Sequence, residues 1–110
     1  MSTAIVTAEQ IQAGIPQAKA AAQAMYDKIG ERDACGFGWT EVYVDRTNSK
    51  QAQELIRAGF KKSYKPKCLD MWDPAGLPTQ SISVKEAGAD ALATYLQALG
   101  LKAYGCSRMD

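Results

Sequence analysis

Histidine is missing from all 110 residues of the chain. Its absence removes the commonest general base, metal ligand and proton shuttle. Cysteine is scarce: Cys35, Cys68 and Cys106 are odd in number, far apart and outside any C-x-x-C pair. Such spacing suits neither a disulfide framework nor a zinc site and points to a reducing, cytoplasmic setting. The three read as small apolar side chains, buried or half-buried. No run approaches the roughly 18 apolar residues of a membrane helix. The opening MSTAIVTAEQ has no positive stretch leading into an apolar block, so no secretory signal is expected. A G-x-x-x-x-G-K-[ST] loop, a G-x-G-x-x-G turn and a G-x-S-x-G elbow are all lacking. ACGFGWT has the wrong spacing for a phosphate cradle and leads into a strand. No cofactor and no metal is expected, and an enzyme is the less favoured reading.

What is present describes one domain, residues 1–110, in which a helical segment over 1–33 packs on an α+β core over 36–107. The 46% apolar and 23% charged content fits a globular chain and not a disordered one. A formal net charge of +1 hides an asymmetry. From Arg46 to Lys67 there are seven basic residues and one acid, Glu54, which leaves six basic and eleven acidic residues elsewhere. One stretch is thus +6 and the remainder −5, a dipole able to steer an anionic partner at short range.

Thr7 and Gln10 form a capping box ahead of a helical stripe of Ile11, Ile15, Ala18, Ala22, Met25 and Ile29. Pro16 inside that stripe should kink or split the helix, and Gly30 should stop it. Gly36 to Asp45, rich in β-branched and aromatic residues, reads as a strand. Asn48 with Gln51 caps a short helix with Ala52, Leu55 and Ile56 inward, ended by Gly59. Phe60 to Tyr64 and Cys68 to Trp72 read as strands around a Lys65-Pro66-Lys67 turn. Ser83 and Glu86 form a second capping box, opening a helix that Gly100 closes. Leu101 to Cys106 is the last strand. From residue 36 the order is β-α-β-β-α-β, the ferredoxin-like split βαβ arrangement of an antiparallel sheet, preceded by one extra amphipathic helix.

Alternation divides each strand between two faces. With Val42, Leu69, Met71, Leu101 and Ala103 toward the later helices, Phe37, Trp39, Glu41, Tyr43, Asp70, Trp72 and Tyr104 point the other way. Trp39, Tyr43, Trp72 and Tyr104 are therefore the candidate protein-binding face, since a bare aromatic patch of that kind needs a cover. Three covers are open: the leading helix lying across the sheet, a second subunit or host protein, or stacked bases of single-stranded nucleic acid.

Lys61, Lys62, Tyr64, Lys65 and Lys67 are the candidate anion or nucleic-acid strip. Alternation spreads these lysines over both sides of a hairpin, where edge lysines also guard against aggregation, and Glu41 and Asp70 on the aromatic face would repel phosphate. Asp73, Thr79, Gln80 and Ser83 gather near the start of the last helix and form the candidate ligand pocket. The carboxylate pairs Asp70/Asp73 and Glu86/Asp90 read as solvated.

WDPAG followed by TQ, then KEAGADALA, and the closing SRMD resemble the motif order of small tailed-bacteriophage proteins of unassigned function. The likeness runs over residues 35–110 and leaves the leading helix outside. It implies a phage accessory product made in the bacterial cytoplasm, and it transfers no residue role. The combined expectation is a small binding module that self-associates or docks on a host protein through its aromatic sheet face. A nucleic-acid binder using the lysine hairpin is the alternative, and a small-molecule binder or enzyme at Asp73–Ser83 comes third.

Overall fold

A computed structural model of the protein describes residues 5–30 and 33–109. Its elements are α1 (Ala8–Gln12), α2 (Ile15–Ile29), β1 (Gly36–Tyr43), α3 (Lys50–Ala58), β2 (Lys61–Lys62), β3 (Cys68–Trp72), α4 (Ile82–Ala98) and β4 (Lys102–Met109). The strands form one antiparallel sheet in the order β2-β3-β1-β4. From β1 onward this is the ferredoxin-like arrangement, entered through two N-terminal helices.

The Thr7–Gln10 capping box forms as read, each side chain bonding the other's backbone N–H. Pro16 splits the leading helix rather than bending it, and sits in the first turn of α2, where its missing N–H has no partner to lose. Gly14 marks the break. A Cβ there would lie 2.5 Å from the Tyr95 ring, and Tyr95 donates its hydroxyl to the Gln10 carbonyl at 3.0 Å. The break is thus pinned to α4.

Two caps fall elsewhere than the sequence pattern places them. Ser49, not Asn48, accepts from the Ala52 N–H. Ser81, not Ser83, caps α4 by accepting from Val84 N–H at 3.3 Å. Thr79 Oγ1 accepts from Ser81 N–H and a bridge pairs Cys35 with Ser81, so the backbone is held extended only as far as Ser81. Helix geometry begins one residue later, and Ser83 falls inside the first turn. The expected strand from Phe60 to Tyr64 shrinks to Lys61–Lys62, because the Phe60 N–H closes α3 on the Leu55 carbonyl and its ring is buried. The last strand runs on to Met109, since β1 offers a full eight-residue template from Gly36↔Met109 to Tyr43↔Lys102.

α4 packs on β1 and β4, and α3 on β3. Gly36, Gly38 and Gly105 line the helix side of the sheet. A Cβ on Gly38 would stand 2.7 Å from the Lys85 carbonyl, and one on Gly105 would collide with Asp90. The G-F-G-W alternation therefore lets α4 settle close on one face while rings stand on the other. Val42, Leu55, Phe60, Leu69, Val84, Leu92, Leu96 and Ala103 are the fully buried centre.

The leading helices do not lie across the open sheet face, which corrects the first of the three covers considered. α2 packs against α4, with Ala18 and Ala22 beside Gly88, and α1 packs against α3. The chain entering α1 is sewn to α3. Gln51 exchanges two 2.9 Å hydrogen bonds with the Val6 backbone, and Glu54 accepts from Ala8 N–H at 2.9 Å. Arg57 bonds Glu54 and reaches Glu9. The apolar stripe of the leading segment is spent on helices, and no helix among the described residues packs on the sheet's other side.

Candidate functional site

The register of β3, β1 and β4 lays the open face out in rows. Trp72 stands directly opposite Trp39, and Asp70, Glu41 and Tyr104 share the next row, followed by Cys68, Tyr43 and Lys102. The two indoles stack at 4.4 Å between centroids and 14° between planes, with Phe37 edge-on to Trp72 at 5.9 Å. Tyr43 and Tyr104 meet edge to face at 5.9 Å. All four residues named for this face are on it. Trp72 is 46% exposed and Tyr104 52%; Trp39 and Tyr43, beside them, are half-buried. The result is an aromatic cluster displayed to solvent, the character of a protein-interaction surface.

At its middle lies a residue whose role the sequence reading missed. Glu41 is only 2% exposed, and its carboxylate is ringed by donors. Trp39 Nε1 donates at 3.1 Å, the Tyr43 hydroxyl at 3.2 Å, and Lys65 Nζ to both oxygens at 2.8 and 3.0 Å. The thiols of Cys106 and Cys68 complete the set at 3.3 and 3.6 Å. Burial alone would push this carboxyl up, but the bonds from Lys65, Trp39 and Cys106 outweigh it and hold Glu41 at about 2. Burial and then the neighbouring carboxylate push Cys106 up to about 11, and the same causes raise Cys68. Both thiols are kept protonated, as donors, and neither is activated as a nucleophile. The cue in the sequence was a glutamate flanked two residues away by Trp and Tyr on a central strand.

Lys65 reaches Glu41 from the β2–β3 turn. Ser63 N–H bonds the Cys68 carbonyl at 3.0 Å and Ser63 Oγ accepts from Lys65 N–H at 3.2 Å. This folds the turn over the Cys68 end of the face. The candidate anion strip is thereby taken apart: Lys65 is ion-paired, and Lys61 opposes Asp70 while Lys62 opposes Leu69, on opposite sides of the sheet. Lys67 and Tyr64 stay exposed at the turn, Tyr64 at 91%.

The candidate pocket fares similarly. Asp73 adopts a left-handed φ of 48° in the turn after β3, its N–H on the Gly38 carbonyl. Thr79 and Gln80 line a hollow of about 150 Å³ with Asp33, Cys35 and Ser81. The N-terminus of α4 already holds an anion, the chain's own Asp33. That carboxylate accepts from Ser81 Oγ at 2.6 Å and Ser83 N–H at 2.8 Å, bonds that hold it down at about 2. A second groove of about 540 Å³ runs between Val6, Val44, Gln51 and Leu101, beyond the Tyr43 end of the face.

No group of three or more Cys, Asp or Glu side chains among the described residues is placed to hold a metal ion, and no described helix is long and apolar enough to cross a membrane. No protein-family model, curated protein or solved structure matches the chain.

Proposed function

We propose that the protein is a binding module that docks another protein on the open face of its sheet, with Trp72 and Tyr104 as the anchors. The observation that supports this reading most is the pair of half-exposed rings standing on the sheet, with neither α1 nor α2 packed over them. Such rings lose little side-chain freedom when a partner covers them. The charged rim argues for a different protein rather than a second copy. Lys61, Lys102 and Arg108 share this side with Asp70, so two copies face to face would oppose one positive rim with another. A partner with acidic residues around the centre of its contact surface fits better. The buried Glu41 and the engaged Lys65 weigh against a nucleic-acid strand. The phage likeness of the C-terminal two thirds is compatible with an accessory module of this kind and carries none of the argument.

The test is selection from a displayed random-peptide library, with molar mass measured across concentrations in parallel. Peptides that bind the wild-type protein and lose at least tenfold affinity to Trp72→Ala and Tyr104→Ala support the reading. No enriched peptide, or peptides indifferent to both substitutions, would remove it. A mass that doubles with concentration and reverts in Trp72→Ala would make the partner a second copy.

A further inference from the structure

We propose that Glu41 is the floor of a primary-ammonium site on the aromatic face, occupied in the resting protein by the chain's own Lys65, which a lysine side chain of the docking partner displaces. The inference rests on the docking reading only for where the lysine comes from; the slot itself is argued from geometry.

A buried carboxylate on a bare sheet face serves poorly as a stabilising device, because desolvation consumes most of what pairing returns. Its surroundings nonetheless fit a cation. One nitrogen, Lys65 Nζ, bridges both Glu41 oxygens at 2.8 and 3.0 Å. The remaining acceptor positions are filled by neutral donors fixed on the sheet: Trp39, Tyr43, Cys68 and Cys106. The space left is for one ammonium rather than a forked guanidinium, and the Tyr64 ring centroid lies 6.0 Å from Lys65 Nζ. Lys65 is the one member of this set not on the sheet. It comes from a turn next to a two-residue strand, and its side chain is 36% exposed whereas that of Glu41 is 3%. The carboxylate is permanent and the cation is tethered.

Tethering sets the threshold. An intramolecular amine acts at an effective concentration of millimolar order or more, so a free amine competes poorly. A lysine presented by a partner that also covers Trp72 and Tyr104 gains from those contacts and can replace it. The turn would then swing off the Cys68 end and leave more of the face free.

The experiment is rescue of Lys65→Ala, in the 110-residue chain, by n-butylammonium chloride, read as the unfolding midpoint. Sodium chloride and tetramethylammonium chloride at equal ionic strength serve as controls. Saturable stabilisation is expected, about 5 °C at ten times the dissociation constant, with little effect on wild type and none on Lys65→Ala/Glu41→Gln. Tetramethylammonium, lacking an N–H donor, should match sodium chloride. Should Lys65→Ala be unfolded at rest, the same titration is read as recovery of the tryptophan near-ultraviolet signal. The proposal is overturned by equal shifts with all three salts, by a shift that survives in the double variant, or by no shift. Because no partner is present, that failure would leave the docking face standing. Rescue combined with a failed peptide selection would instead keep the slot and discard the docking reading.

Discussion

At the scale of single residues, Glu41 is where burial and charge meet most sharply. Stripping water from a carboxylate costs several kcal/mol, and five side chains donate to it in return. Among the described residues, only Lys65 neutralises its charge. The two halves of the pair are therefore unequal. Lys65→Ala leaves a charge stranded among rings and should cost about 3–5 kcal/mol. Glu41→Gln leaves an ammonium that water can reach and should cost about 1–3 kcal/mol. Urea denaturation of both, with the double variant, measures the difference; the reverse order would mean that the lysine stem matters more than its charge. Strand alternation alone put Glu41 among the tryptophans and tyrosines. What alternation could not convey was that a turn some two dozen residues later delivers a lysine to it, because a turn's path depends on its backbone bonds and on the left-handed Lys67, with φ 56°.

Among the elements, α4 is held by complementary devices at its start and along its length. Ser81 caps it and Asp33 binds the cap, while Gly38 and Gly105 allow its backbone to approach the sheet. Gly38→Ala puts a methyl 2.7 Å from the backbone at Lys85, where no flexible side chain can yield. It should cost about 1–3 kcal/mol. Ser81→Ala should cost about 1 kcal/mol through the lost cap. Both are read by chemical denaturation, and a neutral Gly38→Ala would mean that α4 rides higher on the sheet than described. Most elements were legible because their signals are local: the Thr7 capping box, Pro16 at a helix start, Gly59 at φ 117° after α3. The sheet faces were legible too, since period-2 alternation carries them directly. The cap of α4 was not, because Thr79 and Cys35 decide it from outside the helix. The destination of the leading helix was not either. Its stripe of small residues at Ala18 and Ala22 fits a glycine on α4 as well as it would fit a sheet, and Gly88 settles the choice only once its depth in the fold is known.

Across the whole molecule, three carboxylates reinforce junctions between segments. Asp33 ties the chain before β1 to α4, Glu41 ties the β2–β3 turn to the open face, and Glu54 ties the entry of α1 to α3. Each sits below its ordinary value: Asp33 at about 2 through bonds from Ser81 and Ser83, Glu41 at about 2 because its donors outweigh burial, and Glu54 lowered by the Ala8 N–H and Arg57. Between about pH 4.5 and 2 the unfolded chain therefore binds protons that the folded one refuses, and stability falls as pH falls. For Glu41, whose side chain is buried, a depression from 4.5 to about 2 amounts to about 3 kcal/mol at neutral pH. At high pH the sign reverses. Lys65 is raised by its bonds to Glu41, so its contribution is present below the unfolded value of 10.5 and lost as pH rises through the folded one. Since these ties hold junctions and not helix interiors, acid should loosen the junctions before it dissolves helices. The near-ultraviolet signal of the stacked Trp39 and Trp72, which flank Glu41, should fade at a higher pH than the far-ultraviolet helical signal. Glu41→Gln starts from lower stability but has no carboxyl to protonate there, so its tryptophan signal should lose much of that early acid step and change mainly with the helices. Coincident transitions in the wild-type protein, or an unchanged early step in the variant, would show that the aromatic face is held by the stacking of its rings and owes nothing to the charge beneath them.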